Sequence, residues 1–422
     1  MKKFLTALVL LFSFFTLFAQ IPSKKELLST PELTAAFLYA YPVTVAENTP
    51  APKGYIPFYI SHYGRHGSRW LTSDGDYVNI YEVFNKAYSD SVLTPLGKDV
   101  RRRLAIICED ARGRSGDLTS LGVRQHRAIA ERMYKNYPQV FAGDAKIDAK
   151  STTVIRCILS MDAFCEKLKE ENPDLEITRQ ASQRYMYYMN HTGKEYERWI
   201  RDTTLAWRAN YRFLHELANP ERLMSVLFTN PGYCKENMSS AAVMSGLFQI
   251  ASDMQNVDPG LSLYDLFTPR ELFDLWQAMN YRYYVTLSTS PESGGLAVAN
   301  AINLLTDILD KAHEAVNGNG TAANLRFGHD GNITPLAGLM QLDDNRSSEK
   351  DPLKIYTVWN ASVCTPKASN IQLVFFRHKK NKDVIVKILH NEREVSIPVE
   401  TDIYPYYHWQ DVECFYREVM EK

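Results

Sequence analysis

The sequence predicts an α/β fold: an open mixed sheet flanked by helices, interrupted by an inserted and mainly α-helical subdomain. Three observations lead there. Short runs that read as strands, most of them rich in β-branched and aromatic residues, recur towards both ends of the chain, at 55–63, 146–157, 324–328, 371–376 and 383–388. Helical periodicity follows the early ones, at 121–135 and 158–170. Between 174 and 320 the texture shifts to Tyr-, Trp- and Met-rich sequence with helical spacing and few strand signals. Strand and helix, then a helical block, then strands again describe an interrupted α/β domain.

The elements follow in order. Residues 1–19 read as a targeting signal, with Lys2 and Lys3 ahead of an apolar run from Phe4 to Phe18. Cleavage after Ala19 would leave Gln20 first, although Leu17 is larger than the small residue expected two positions before Ala19. This predicts export, periplasmic or secreted, and no membrane span, because no later apolar run reaches the required length. Residues 20–165 and 321–422 form the α/β core, and 166–320 the helical insertion. Ala51-Pro52-Lys53-Gly54 punctuates the approach to the first strand, Tyr55 to Tyr63. A helix over 121–135 begins near Thr119 or Ser120. The strand at 146–157 ends at Arg156, and the clearest helix of the insertion spans 297–316. The charged turn Arg377 to Lys382 separates the last two strands and reads as a solvated hairpin end.

Composition limits the function classes. The chain has 422 residues, 45% of them hydrophobic, enough for a large core. Lys and Arg total 48 against 49 Asp and Glu, so no basic field for nucleic acid exists. Positive charge for an anionic ligand must be local. Six cysteines, Cys108, Cys157, Cys165, Cys234, Cys364 and Cys414, leave disulfides and buried free thiols both open. No Cys-x-x-Cys pair points to zinc or redox chemistry.

Three constellations carry chemistry. Arg65-His66-Gly67-Ser68-Arg69 follows the first strand, and ligands of open α/β sheets bind beyond such ends. Arginine matches phosphate oxygens through a bidentate fork. His329-Asp330 follows another short strand. A histidine and an acid together can stabilise phosphate charge and protonate a leaving oxygen; alternatively, Asp330 caps a helix starting near Asn332. Arg156 is the third. Each alone is weak, but all three sit at predicted strand ends, so one site could gather them. His62, four residues before His66, either touches that site or packs in the core. His126, His191, His313, His378 and His408 have no partner pattern and read as surface or packing residues. Tyr185-Met186-Tyr187-Tyr188-Met189 reads as core.

Together these motifs resemble the histidine acid phosphatases of the histidine phosphatase superfamily, branch 2. That family carries R-H-G-x-R early, here Arg65 to Arg69, and a histidine–aspartate pair far downstream, here His329-Asp330. Arg156 matches an arginine between them, and Gly116-Asp117-Leu118-Thr119-Ser120-Leu121-Gly122 is similar to the family's Gly-Asp-Leu-Thr-x-x-Gly motif. Residues 325–340 resemble the multiple inositol polyphosphate phosphatases, which usually have His-Ala-Glu where this chain has His329-Asp330-Gly331. Leu71 replaces a proline common after the aromatic position of Trp70.

The resemblance implies roles. His66 attacks phosphorus and carries it as phosphohistidine. Arg65, Arg69 and Arg156 hold the phosphate oxygens, His329 stabilises the transferring group, and Asp330 protonates the leaving alcohol. It implies no cofactor and no metal, and a small-molecule phosphomonoester as substrate, with inositol polyphosphates such as phytate foremost. Rival readings are a broad acid or sugar phosphatase, a mutase, or a non-catalytic phosphoester-binding protein. Oligomeric state is not predicted.

Overall fold

A computed structural model describes residues 21–42, 47–233, 238–258 and 260–421. The targeting signal expected at 1–19 lies outside the described residues, as does Cys234. Among the described residues, no helix is long and apolar enough to cross a membrane.

Among the described residues, eight strands form one sheet. They are β1 (Tyr55–Arg65), β2 (Lys146–Ser151), β3 (Glu176–Ala181), β4 (Ala323–Gly328), β5 (Asn370–His378), β6 (Val384–His390), β7 (Arg393–Glu394) and β8 (Tyr406–His408). The order is β3-β2-β4-β1-β5-β6-β7, with β8 paired to β6. β3, β2, β4 and β1 run parallel, and β5 closes on β1 antiparallel. Arg65 lies opposite Gly328, and Ser151 opposite Phe327, so the chain leaves β1, β4 and β2 side by side on one edge. β5 starts at that same edge, with Asn370 opposite Gly64.

Alternation of side chains explains the layers. Tyr59, Tyr63, Leu373 and Phe375 face one apolar cluster, while Ile60, Leu325, Phe327 and Val374 face the other. The longer helices are α1 (Gly75–Ser89), α2 (Pro95–Ala111), α3 (Ser120–Asn136), α4 (Ile155–Glu171), α5 (Ala206–Glu216), α6 (Ser240–Asp253), α7 (Pro269–Leu287), α8 (Ile302–Val316), α9 (Asp330–Leu339) and α10 (Trp409–Glu421). Helices α3 and α4 cover one face of the sheet, and α8, α9 and α10 the other. A third cluster joins α1, α2, α5, α6 and α7 with residues 27–38.

Several expectations need correction. Arg156 is not at a strand end: β2 stops at Ser151, and Arg156 stands in the first turn of α4. The β-branched run Thr152-Thr153-Val154 is a turn, tied back by Thr152 N–H donating to the Phe327 carbonyl at 3.0 Å. β3, within the stretch read as mainly helical, is an edge strand whose mostly exposed side chains show no apolar alternation. The helix expected over 297–316 breaks at Asn300–Ala301, where the Asn300 amide oxygen accepts the Gly193 N–H at 2.8 Å. Helix α9 starts at Asp330 itself, with His329 in the capping position. His62 and His126 are buried in the core, packed on the Phe327 ring, and His62 also on Phe164. Cys108, Cys157, Cys165 and Cys414 are free thiols.

Candidate active site

The loop Arg65–Arg69 is fixed from below and from the side. His66 N–H donates to the Gly328 carbonyl, and the His66 carbonyl accepts from Ala368, both at 2.9 Å. Ser68 and Arg69 are stitched to residues 117–125. The Ser68 carbonyl accepts the Thr119 N–H at 2.9 Å and the Thr119 hydroxyl at 3.1 Å, and Ser68 N–H donates to Gln125 Oε1 at 2.8 Å. Arg69 bridges to Leu118. Thr119 also caps α3 by accepting from Gly122. The two glycines permit this approach: a Cβ on Gly67 would lie 2.6 Å from the Gly122 backbone, and one on Gly122 2.4 Å from the Ser68 carbonyl oxygen. That contact is the physical content of the Gly-Asp-Leu-Thr-x-x-Gly pattern.

His66 is buried, and its Nδ1 lies 2.9 Å from the Gly67 carbonyl oxygen. A carbonyl only accepts, so Nδ1 carries the proton and the Nε2 lone pair is free. Burial first, then the charges of Arg65, Arg69 and Arg156, hold His66 well below its usual pKa. It is therefore a neutral imidazole with an available nucleophilic nitrogen.

The cations come from separate elements. Arg65, at the end of β1, has no exposed surface. Its Nη1 donates to the Phe37 carbonyl at 2.8 Å and the Thr365 carbonyl at 2.5 Å, and its Nη2 to Asp330 Oδ2 at 3.0 Å. Arg69 Nη1 donates to the Trp70 carbonyl at 2.6 Å. Arg156, from α4, sits with Nη1 3.2 Å from where a Gly116 Cβ would be. A helix N-terminus disfavours a cation, so local helix stability does not explain this arginine. The Nε atoms of Arg65, Arg69 and Arg156 are all buried without a hydrogen-bond partner among the described residues. Leaving buried donors unpaired is costly, and three of them around one histidine fit an oxyanion.

His329 and Asp330 follow β4. The His329 ring meets the His66 ring edge-on, with centroids 5.8 Å apart. Its Nε2 lies 3.2 Å from the Thr152 hydroxyl, and its N–H donates to the Tyr63 hydroxyl at 3.2 Å. Burial and then the Arg156 charge push His329 down to about 4, so it too is neutral. Asp330 keeps 23% of its side-chain surface exposed, so it is reachable from the pocket. Burial alone would raise its pKa; the charges of Arg65 and Arg69 override this and hold the carboxyl well below the usual range. The Tyr283 hydroxyl also donates to Oδ2 at 3.4 Å.

The structure thus brings Arg65, His66, Arg69, Arg156, His329 and Asp330 to one edge of the sheet. Sequence reasoning missed Lys367, on the turn before β5, and Tyr283, on α7. Neither sits in a recognisable motif; only the proximity of Lys367 to the strand at 371–376 was visible.

Comparison with known proteins places this geometry. The family model for the histidine phosphatase superfamily (branch 2) matches residues 110–391. The Bifidobacterium longum multiple inositol polyphosphate phosphatase, solved in complex with inositol hexasulfate, superposes with a TM-score of 0.75 at 19% identity, covering 90% of this chain and 96% of that one. The phytase from D. castellii gives a TM-score of 0.65 at 15% identity, covering 93% and 85%. The apo phytase of Hafnia alvei gives 0.53 at 13% identity, covering 88% and 98%. No curated protein matches the chain in a sequence comparison. The family match spans well over half of the chain and contains Arg156, His329 and Asp330, and on that ground the chain belongs to the histidine phosphatase superfamily (branch 2) and is a phosphatase.

Proposed function

We propose that the protein hydrolyses phosphomonoesters through a phosphohistidine at His66, with inositol polyphosphates such as phytate as its substrates. The observation that carries this is the set of three unpartnered buried Nε–H groups, from Arg65, Arg69 and Arg156, around a neutral His66 with a free Nε2. The arginines hold the phosphoryl oxygens, and His329 donates to one of them. Nε2 of His66 attacks phosphorus as the ester P–O bond breaks, and the leaving oxygen takes a proton from Asp330. Water then attacks the phosphohistidine, returning its proton to Asp330 and releasing phosphate. Positioning and charge supply the rate.

The ion pair with Arg65 keeps Asp330 a carboxylate in the free protein. Its proton therefore has to arrive with the substrate or after it. A phosphomonoester loses its second proton near pH 6, so its monoanion can deliver one. The incoming phosphate also competes for Arg65, which weakens the force holding Asp330 ionised. His66 and His329 remain neutral under mildly acidic conditions, so they impose no loss of activity there.

The helical part of the chain also carries guanidinium groups away from His66. Arg282 precedes Tyr283 on α7 and lines a cleft of about 370 Å³ with Trp207, Arg208, Tyr211 and Arg212. We also propose export, on the strength of residues 1–19; the mature protein should begin near Gln20 on N-terminal sequencing, and retention of Met1 would refute it.

The deciding experiment is quench-trapping. Wild-type protein mixed with phytate and quenched should yield an acid-labile, base-stable phosphoprotein, and His66→Ala should yield none while losing turnover. Normal turnover by His66→Ala would end this mechanism. Side-by-side phosphate release from phytate, glucose 1-phosphate and an aryl phosphate separates the inositol reading from a broad phosphatase.

A further inference from the structure

Lys367 lies on the turn between residues 365 and 369, with no exposed surface. Its backbone N–H donates to the Tyr39 carbonyl at 2.8 Å, and the next residue, Ala368, donates to the carbonyl of His66 at 2.9 Å. The lysine backbone is therefore one residue from a bond to the nucleophile's own backbone. Its Nζ stands 5.7 Å from the centroid of the Phe37 ring. Phe37 stacks on Tyr283 at 4.5 Å, and its carbonyl holds Arg65. This places the ammonium position in the layer that contains Arg65, Asp330 and Tyr283.

Nζ is buried and has no hydrogen-bond partner among the described residues. The groups that face it are Arg65 and His66 from the end of β1, Arg69 from the loop, Asp330 from α9 and Asp253 from α6, with Tyr283 of α7 across the Phe37 ring. Neither carboxylate is its hydrogen-bond partner. Asp330 is held by Arg65 at 3.0 Å, and Asp253 accepts from the Tyr77 hydroxyl at 2.6 Å. A buried ammonium beside two guanidinium groups is unfavourable unless an anion joins it. Burial and then Arg69 and Arg65 push the lysine well below its usual range, consistent with an amine in the free protein. Packing alone would be served better by an apolar side chain of the same length.

We propose that Lys367 is a further oxyanion-binding side chain of this pocket, one that takes up a proton as the anion enters and then holds a phosphoryl oxygen through Nζ. The inference rests on the phosphatase reading and adds a fourth cation to it. The proton comes from solvent, because the one carried by the substrate goes to Asp330, and the amine becomes an ammonium with no other bond changed. The free protein thereby avoids a fourth buried charge, which appears only when a dianion is present to neutralise it.

Sulfate is the probe, because it enters as a dianion with no proton to give. Calorimetric titration in two buffers of different ionisation enthalpy measures proton uptake on binding. Lys367→Met and Lys367→Gln should fold, and the methionine variant should melt above wild type, since it removes a buried unpaired amine. Both should bind sulfate at least about tenfold more weakly, the scale of a charge-assisted contact. Both should also take up about one proton fewer per sulfate than wild type. In wild type, heteronuclear NMR of lysine Nζ should show one amine converting to ammonium as sulfate is added, a readout that needs no variant. Unchanged affinity and uptake in the variants, or no such conversion in wild type, overturns the proposal. If wild type binds sulfate and hydrolyses an aryl phosphate while the variants match it, only the role of Lys367 falls. If wild type does neither, the phosphatase reading falls with it.

Discussion

The Arg65 guanidinium and the Asp330 carboxylate meet at 3.0 Å across the ends of two adjacent parallel strands, β1 and β4. The arginine is wholly buried, so the carboxylate is the counter-charge that makes its burial tolerable. Because the folded protein depresses Asp330, its contribution to stability is present above the unfolded carboxyl value, about 3.9, and is lost as pH falls below that. Asp330→Asn should therefore cost about 2 kcal/mol at neutral pH. The gap to wild type should close as the pH is lowered through the acidic range. Urea denaturation of both proteins across pH checks the sign; a gap that widens in acid would show that Asp330 is not the partner of Arg65.

Arg156 tests the assignment that moved furthest from expectation. In the first turn of α4, among the described residues, it has no carboxylate within ion-pair distance, and its Nε is buried without a partner. Its value should lie in binding phosphate. Arg156→Lys keeps the charge but loses the planar fork, so kcat/KM should fall by about 2 kcal/mol of transition-state stabilisation. Stability should be unchanged or higher, and competitive inhibition by vanadate should weaken in parallel. Kinetic silence would place Arg156 outside the site.

Much of this site was legible because chemistry and topology coincide in short runs. Arg65 to Arg69 and His329-Asp330 each follow a short run that reads as a strand, the first of them rich in β-branched and aromatic residues, and parallel pairing brings those ends together. Arg156 was found as a residue but misplaced, since Thr152-Thr153-Val154 looks like a continuing strand. The ladder to β4 ends with the bond from Thr152 to Phe327, 175 residues away in sequence, and the chain enters α4 three residues later. β3 was missed because Glu176 to Ala181 is a polar edge with no alternation to read. Lys367 and Tyr283 were missed because nothing local distinguishes them; burial beside His66 and Asp330 is a property of the whole fold.

The contact between Gly67 and Gly122 makes a prediction about distance rather than charge. An alanine at 122 would put its Cβ 2.4 Å from the Ser68 carbonyl oxygen and 2.6 Å from Leu118, so the loop carrying His66 must shift. A displacement near 1 Å in a phosphoryl-transfer site costs on the order of a hundredfold in rate. Gly122→Ala should therefore lose activity by about that factor while circular dichroism still shows the native helix and strand content. Full activity would mean that α3 and the loop move independently, against the bonds from Thr119 and Gln125 to Ser68.

The proton donor is the part of the mechanism most open to direct test. The leaving oxygen of an inositol is a strongly basic alkoxide and needs a proton as the P–O bond breaks, whereas an aryl oxide leaves readily without one. Asp330 is the acid beside His329, yet Arg65 keeps it ionised in the free protein. Two consequences follow together. Asp330→Asn should lose far more activity on phytate than on an aryl phosphate, because only the first needs the donor. Wild-type activity on phytate should also rise as pH falls towards the range in which the substrate phosphate is a monoanion, about pH 6 and below, because that species brings the proton. In Asp330→Asn this acid-side rise on phytate should flatten. Equal losses on both substrates would instead make Asp330 the residue that positions Arg65. The donor would then be another acid, and a pH profile unchanged in the variant would identify it as one that titrates independently of Asp330.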